Sequence, residues 1–267
     1  MMRKLLLSTL MFSAGGIVYA TDANVASNAA ESSEYSAFQK FDRQYSLGYA
    51  VTSGNLTNGS SGAVNNTQYV NLEIERLFNV GVWMDVNANL LTYYSQNADP
   101  ATPAVGTTTG SQPSFGGINA KVGYAFSLLP DHLLITPYAY LGRNTNLSSY
   151  TLSEAGSQTN LTQDYYWSFG AGVRLEYRIN NVFDVYLDQN GIYNASQAPV
   201  TQGFAPNDYY SYTSTLGAKF NVYRNLQLGA QAFYNNYYFT QSLVTANGVA
   251  LVPQSSVGGL VSIGLTY

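Results

Sequence analysis

Segments of this chain alternate between apolar and polar side chains, and the connections between them alternate between long and short. The segments lie near 43–53, 67–78, 81–94, 115–128, 133–143, 165–179, 183–193, 208–222, 226–239 and 256–267. A period of two belongs to a strand, whose successive side chains point to opposite faces. After the odd-numbered segments come long polar stretches such as "SGNLTNGSSGAVNN" and "SQNADPATPAVGTTTGSQP". After the even-numbered ones only Asn79-Val80, Leu129 to His132, Asn180 to Val182 and Tyr223 to Asn225 intervene. Tight turns on one side and long connections on the other describe antiparallel strands joined up and down, and an even number of them closes into a cylinder. The pattern predicts an all-β, antiparallel up-and-down β-barrel of about ten strands, with eight and twelve as the neighbouring even counts.

The two faces of each segment call for two solvents. In the third, Val82, Met84, Val86, Ala88 and Leu90 oppose Asp85, Asn87 and Asn89. In the fourth, Ile118, Ala120, Val122, Tyr124 and Phe126 oppose Asn119, Lys121, Gly123 and Ser127. In the sixth, Tyr165, Trp167, Phe169, Ala171, Val173 and Leu175 oppose Ser168, Gly170, Gly172, Arg174 and Glu176. A soluble sandwich also alternates, but it does not put charge on most of its inner faces. Lipid outside and water inside explains both faces. No run of the ~18 or more apolar residues needed by a membrane helix follows the first twenty residues. The chain has 10% charged and 14% aromatic residues, with 24 Tyr, where a soluble domain carries about a quarter charged residues. Aromatics gather at segment ends: Tyr93, Tyr94, Phe115, Tyr165, Trp167, Tyr209, Tyr210, Tyr237 and Tyr238 toward the long connections. Tyr45, Phe78, Trp83, Phe126, Tyr177, Phe183, Phe220 and Tyr267 lie toward the short turns. Two such bands suit the two membrane interfaces. The expected barrel is therefore transmembrane, with long extracellular loops and short periplasmic turns. Pro137 interrupts the fifth segment, and because a closed barrel has no edge to hide a missing donor, a bulge is expected there.

The N-terminus, "MMRKLLLSTLMFSAGGIVYA", has Arg3 and Lys4, an apolar stretch and a small-residue site, the layout of a secretory signal peptide over 1–20 with cleavage between Ala20 and Thr21. Residues 21–42 are small and polar and are expected to form a flexible periplasmic segment, leaving 43–267 as the barrel. Removal of Arg3 and Lys4 leaves 9 Lys+Arg against 15 Asp+Glu and moves the net charge from −4 to −6. That balance argues against nucleic acid as a partner. With no cysteine, neither thiolate chemistry nor a Cys metal site is available, and no metal or cofactor is expected.

The last stretch, "LVSIGLTY", resembles the terminal strand of bacterial outer-membrane barrels, whose final aromatic and alternating apolar residues are read by the barrel-assembly machinery. The resemblance assigns that role to Val261, Ile263, Leu265 and Tyr267. "LLITPYAYLG" (133–142) and "WSFGAGVRLEYRI" (167–179) also resemble strands of the small opacity-type and OmpA-type porin-like barrels. Those families mostly have eight strands where this chain shows ten segments. The resemblance implies a place in the bacterial cell outer membrane, with outer-membrane lipid and lipopolysaccharide as surroundings.

Ten strands also raise the omptin proteases, whose chemistry relies on a histidine near the outer rim. Here the single histidine, His132, lies in a short turn beside Pro130 and Asp131. A general base there cannot reach a substrate held by the long loops, so no enzymatic activity is expected. Glu73, Glu75, Asp85, Lys121, Arg174, Glu176, Asp184, Asp188 and Lys219 all fall on inward faces within about seven residues of a short turn. At ~3.3 Å per residue they collect in the periplasmic half of the lumen. Such a layer either interlocks as ion pairs that plug the lumen or lines a constriction that passes small cations. Arg43, Arg76, Arg178 and Arg224 are expected on the lower rim, with Asp99, Glu154, Asp164 and Asp208 on the outer loops. The expected function is a narrow porin-like channel for small hydrophilic solutes or ions, weakly favouring cations. The alternative is a non-conducting structural or adhesion barrel whose surface loops bind host or envelope partners.

Overall fold

The computed structural model describes residues 35–58, 61–98, 108–110, 114–152, 159–196, 208–223, 225–239, 244–245, 248–250 and 252–267. One helical turn, α1 (Ser36–Gln39), precedes β1 (Arg43–Asn58), β2 (Ser61–Leu77), β3 (Val82–Ala98), β4 (Thr108–Gly110), β5 (Ser114–Tyr124), β6 (Phe126–Leu129) and β7 (Leu133–Leu152). Then follow β8 (Thr159–Arg178), β9 (Phe183–Ser196), β10 (Tyr209–Tyr223), β11 (Leu226–Phe239), β12 (Val244–Thr245), β13 (Gly248–Ala250) and β14 (Val252–Thr266). Hydrogen bonding runs β7-β5-β3-β2-β1-β14-β11-β10-β9-β8 and returns from β8 to β7, with every pairing antiparallel. The sheet is a closed ten-strand up-and-down barrel. First and last strands close it, from Gln44 opposite Thr266 to Gly54 opposite Ser256.

The alternation sorts the side chains as a membrane wall requires. Val122, Leu216 and Val261 are 54%, 62% and 63% exposed on the outer face. Val86 and Val173 are half-exposed beside them. Pro137 is accommodated without the expected bulge. Its register with Val173 of β8 is continuous, and the break lies in the other neighbour, where β5 stops at Tyr124 and β6 resumes at Phe126. A proline has no N–H to give, so the ladder is left open there, while on the β3 side Ala125 donates to the Gly81 carbonyl at 2.7 Å. Gly81 itself turns the chain at φ +85, a conformation that favours glycine.

On the long-connection side the strands run beyond the expected ends. β7 and β8 stay paired as far as Thr151 opposite Thr159. The connection after β11 contributes β12 and β13, and β13 pairs with β7 at Gly248 opposite Leu152. β7 lies across the ring from the β11–β14 seam, so β13 is paired on the far side of the barrel from the two barrel strands that flank it in sequence.

At the other end, residues 35–42 are folded into the barrel. Phe38 and Phe41 are fully buried, and Tyr35 and Asp42 nearly so. A flexible leader was expected over 21–42; the aromatics Tyr35, Phe38 and Phe41 give its last residues an apolar surface that the lumen can bury. The expected signal peptide, Ala20 and Thr21 included, and residues 21–34 lie outside the described residues.

Candidate functional site: a tiered lumen

Strands β2 and β3 carry the same gradient along their inner faces. Climbing β3 from the short turn gives Trp83, Asp85, Asn87 and Asn89; descending β2 toward its turn gives Asn71, Glu73, Glu75 and Leu77. On these two strands apolar side chains occupy the bottom, charges the level above, and neutral amides the upper lumen.

The bottom tier is a packed stopper. Phe38 sits with Leu77, Trp83, Ala125 and Leu134, all nearly or wholly inaccessible. The incoming segment is also held by polar contacts. The Tyr35 hydroxyl donates to the Ala125 carbonyl at 3.0 Å, the Gln227 amide to the Phe41 carbonyl at 3.3 Å, and the Asn221 amide to the Lys40 carbonyl at 3.3 Å. Trp83 was expected in the lower aromatic band. It lies in phase with Asp85, points inward, and donates its indole N–H to Glu75 Oε1 at 3.1 Å. Tyr209 and Tyr237 likewise leave the upper band for the lumen wall, where the Tyr237 hydroxyl lies 3.2 Å from Ser256 Oγ.

The charged tier is interlocked. Arg174 Nη1 meets Glu75 Oε1 at 2.9 Å, its Nε meets Glu176 Oε2 at 3.1 Å, and its Nη2 lies 3.6 Å from Asp42 Oδ1. Lys219 pairs with Asp42 and, at 2.6 Å, with Glu75 Oε2. The Arg174 guanidinium lies 4.0 Å from the Tyr186 ring centroid and 5.3 Å from that of Trp83. A second group sits alongside: Lys121 Nζ lies 3.2 Å from Asp85 and 3.0 Å from Asp188, which also accepts from the Tyr138 hydroxyl. Glu73 accepts from Ser46 Oγ at 3.1 Å and faces the cavity above. Asp184 stands opposite Lys219 in the β9–β10 register and is fully buried.

All nine charged residues singled out in the sequence thus lie in one region of the lumen. Asp42 was missed, although it is in phase with the inward Gln44 and Ser46 and so could have been found by counting back one step. Arg76 is not on an open rim as expected. It is buried, its guanidinium 4.7 Å from the Phe78 ring centroid and 5.5 Å from that of Tyr267, because an arginine stem packs readily on aromatic faces. Arg43 and Arg178 do stay at the rim, bonded to Asn79 and Asn181. Arg224 lies outside the described residues.

Above the charges, neutral side chains bond across successive seams around the barrel. Thr52 meets Thr67; Asn71 donates to Asn89 at 2.9 Å and Asn119 to Asn87 at 3.2 Å. Tyr140 donates to Asn119, Asn144 to Ser168 at 2.9 Å, and Ser168 to Asn194 at 2.6 Å. Asn194 donates to Ser211 at 3.1 Å, Thr213 to Asn235 at 2.7 Å, and Asn235 to Ser256 at 3.0 Å. The belt runs from the β1–β2 seam round to the β11–β14 seam. It encloses a cavity of about 370 Å³ whose base is formed by Glu73, Asp85, Lys121, Arg174 and Asp188.

His132 is exposed in its short turn, its Nδ1 3.1 Å from the Arg178 carbonyl, so it lies at the opposite end from the cavity. Among the described residues no group of three or more His, Asp or Glu side chains is arranged to hold a metal. Val261, Ile263, Leu265 and Tyr267 form an outward, exposed row on β14 and at its end, and Tyr267 stacks on Tyr45 of β1 at 4.8 Å.

No protein-family model and no curated protein matches the chain. Solved structures resemble it in fold. The transport unit of the autotransporter AIDA-I from Escherichia coli gives a TM-score of 0.47 at 11% identity, over 93% of this chain and 97% of that one. The beta domain of the Bordetella autotransporter BrkA gives 0.45 at 11%, over 85% and 100%. The outer membrane protease OmpT from Escherichia coli gives 0.42 at 10%, over 84% and 94%. These neighbours are bacterial outer-membrane β-barrels.

Proposed function

We propose that the protein is a bacterial outer-membrane barrel whose lumen is held shut at the periplasmic end, acting as a binding or structural barrel rather than a standing pore. The observation that carries this reading is the dry floor. Phe38, Phe41, Leu77 and Glu75 are inaccessible to water, with Trp83 and Asp42 at 1% exposure, and a water-filled passage needs a continuous wetted path. The interlocked tier above the floor supports the same reading, since its cations are engaged by fixed acids instead of lining a free path for ions. With His132 at the far end, no histidine stands near the cavity to serve as a base for hydrolysis.

One observation favours the narrow porin-like channel as a second state. Phe38 and Phe41 belong to a segment outside the sheet, residues 35–42, so its departure would empty its part of the floor without breaking a strand pairing. Small hydrophilic solutes or ions would then pass the mixed charges of the tier. On this reading the outer wall meets lipid and lipopolysaccharide, and the row ending in Tyr267 is what the barrel-assembly machinery takes hold of.

Conductance in a planar bilayer tests the proposal. The intact folded protein is expected to stay silent, whereas the double variant Phe38→Asp/Phe41→Asp is expected to give small discrete steps. Steps of equal size from both proteins would overturn the closed-floor reading.

A further inference from the structure

The cavity above the charged tier has a chemistry of its own, and we propose that it binds a small, neutral, polyhydroxylated solute: a saccharide of one or two rings. The inference deepens the binding-barrel reading and rests on it, because a lumen closed below is a cup in which a solute can dwell.

Three features select the ligand class. The wall is built of carboxamides and hydroxyls, groups that both donate and accept hydrogen bonds, as sugar hydroxyls do. Asn235 uses one lone pair for Thr213 and one N–H for Ser256; Asn87 accepts from Asn119. A carboxamide has two donors and two acceptor sites, so each of these bonds fixes the amide's orientation and leaves capacity facing the cavity. A site already oriented by its neighbours loses less freedom when a ligand arrives.

The second feature is charge. The ions at the base are engaged with one another: Lys121 with Asp85 and Asp188, Arg174 with Glu75 and Glu176. An anion would have to shed water with no uncommitted cation in exchange, and a cation would find only Glu73 outside an ion pair, its carboxylate already accepting from Ser46. A neutral one loses far less on entry. The third is the presence of phenol rings among the amides. Tyr69, Tyr140, Tyr209 and Tyr237 line the same cavity, and an aromatic ring offers an apolar face to the C–H side of a pyranose. The size agrees: 370 Å³ lies at the lower end of the ~300–1,000 Å³ range of small-molecule sites.

The test is equilibrium dialysis of the intact folded protein in detergent against sucrose, maltose and lactose, with glutamate and choline as charged probes. Saturable uptake of at least one neutral disaccharide is expected, with neither charged probe retained at the same concentration. Asn87→Leu and Asn235→Leu, which keep the side-chain size and remove the amide, are expected to weaken uptake about fivefold or more. Heat-modifiable gel mobility confirms that each variant has folded. Absence of uptake for all three sugars, stronger uptake of a charged probe, or unchanged affinity in both folded variants would overturn the proposal. Because uptake is read at equilibrium without a membrane, a conducting wild-type protein would remove the closed-floor reading and leave this result standing on its own.

Discussion

Lys219 shows how much a single side chain can organise. It is 4% exposed, reaches from β10 to Asp42 of the incoming segment and Glu75 of β2, and touches the Phe41 carbonyl at 3.4 Å. Removing one partner of such a buried group leaves uncompensated charge, at a cost of ~3–5 kcal/mol. Lys219→Met is therefore expected to lower the temperature at which the barrel loses its compact gel mobility, and Asp42→Asn in the same chain, which removes the other acid Lys219 pairs with, to restore part of it. A double variant no more stable than the single one would mean that the pair is not the source of the loss. Glycines of the barrel wall act at the same scale. A Cβ at Gly217 would strike the Tyr186 ring, which carries the Arg174 guanidinium on its face, whereas at Gly259, in phase with the outward Val261, the nearest neighbouring atom is 3.4 Å away. Gly217→Val should cost ~1–3 kcal/mol by overpacking, while Gly259→Val should be nearly neutral. Comparing their urea midpoints checks this.

Among the elements, the alternation located all ten barrel strands but stopped short on the long-connection side. The fifth segment was expected to end near 143, yet β7 continues to Leu152. Beyond the membrane both faces meet water, so the apolar-polar alternation fades while backbone pairing continues through Asn, Ser and Thr. The small strands β4, β12 and β13 carry no such alternation for the same reason. The single turn α1 was hidden in a polar stretch. Only the spacing of Phe38 and Phe41 hinted at it, and nothing local says that the space to receive them lies between β2, β3 and β7. Trp83 is a different kind of miss. Its phase with Asp85 was legible, but its aromatic character drew it to the interface band. Aromatic type places a ring near a strand end, and only phase decides which side of the wall it takes.

For the whole molecule, the strongest test of a lipid-facing wall is to charge it. Leu216 is 62% exposed on the outer face, midway between Tyr212 and Phe220, while its neighbour Thr215 lines the cavity. Leu216→Lys is expected to cost ~2–4 kcal/mol in a bilayer, the price of a cation near the midplane, and Thr215→Lys much less. Reversible unfolding in liposomes measures both, and equal losses would deny the wall its lipid. Closure itself depends on the most distant pairing in the chain, that of β1 with β14. Two segments outside the ten-strand ring mark its ends: residues 35–42 in the lower mouth and β13, paired with β7, at the upper one.

The sequence alone determined the barrel, its strand directions, its oily and wet faces and the level at which charges gather, because a period of two and a strand rise are local and repeat on every segment. Tertiary structure decided which charges meet, that Asp42 joins them, and that the floor is closed. Those facts depend on distances across the lumen, which exist only once the first strand has met the last.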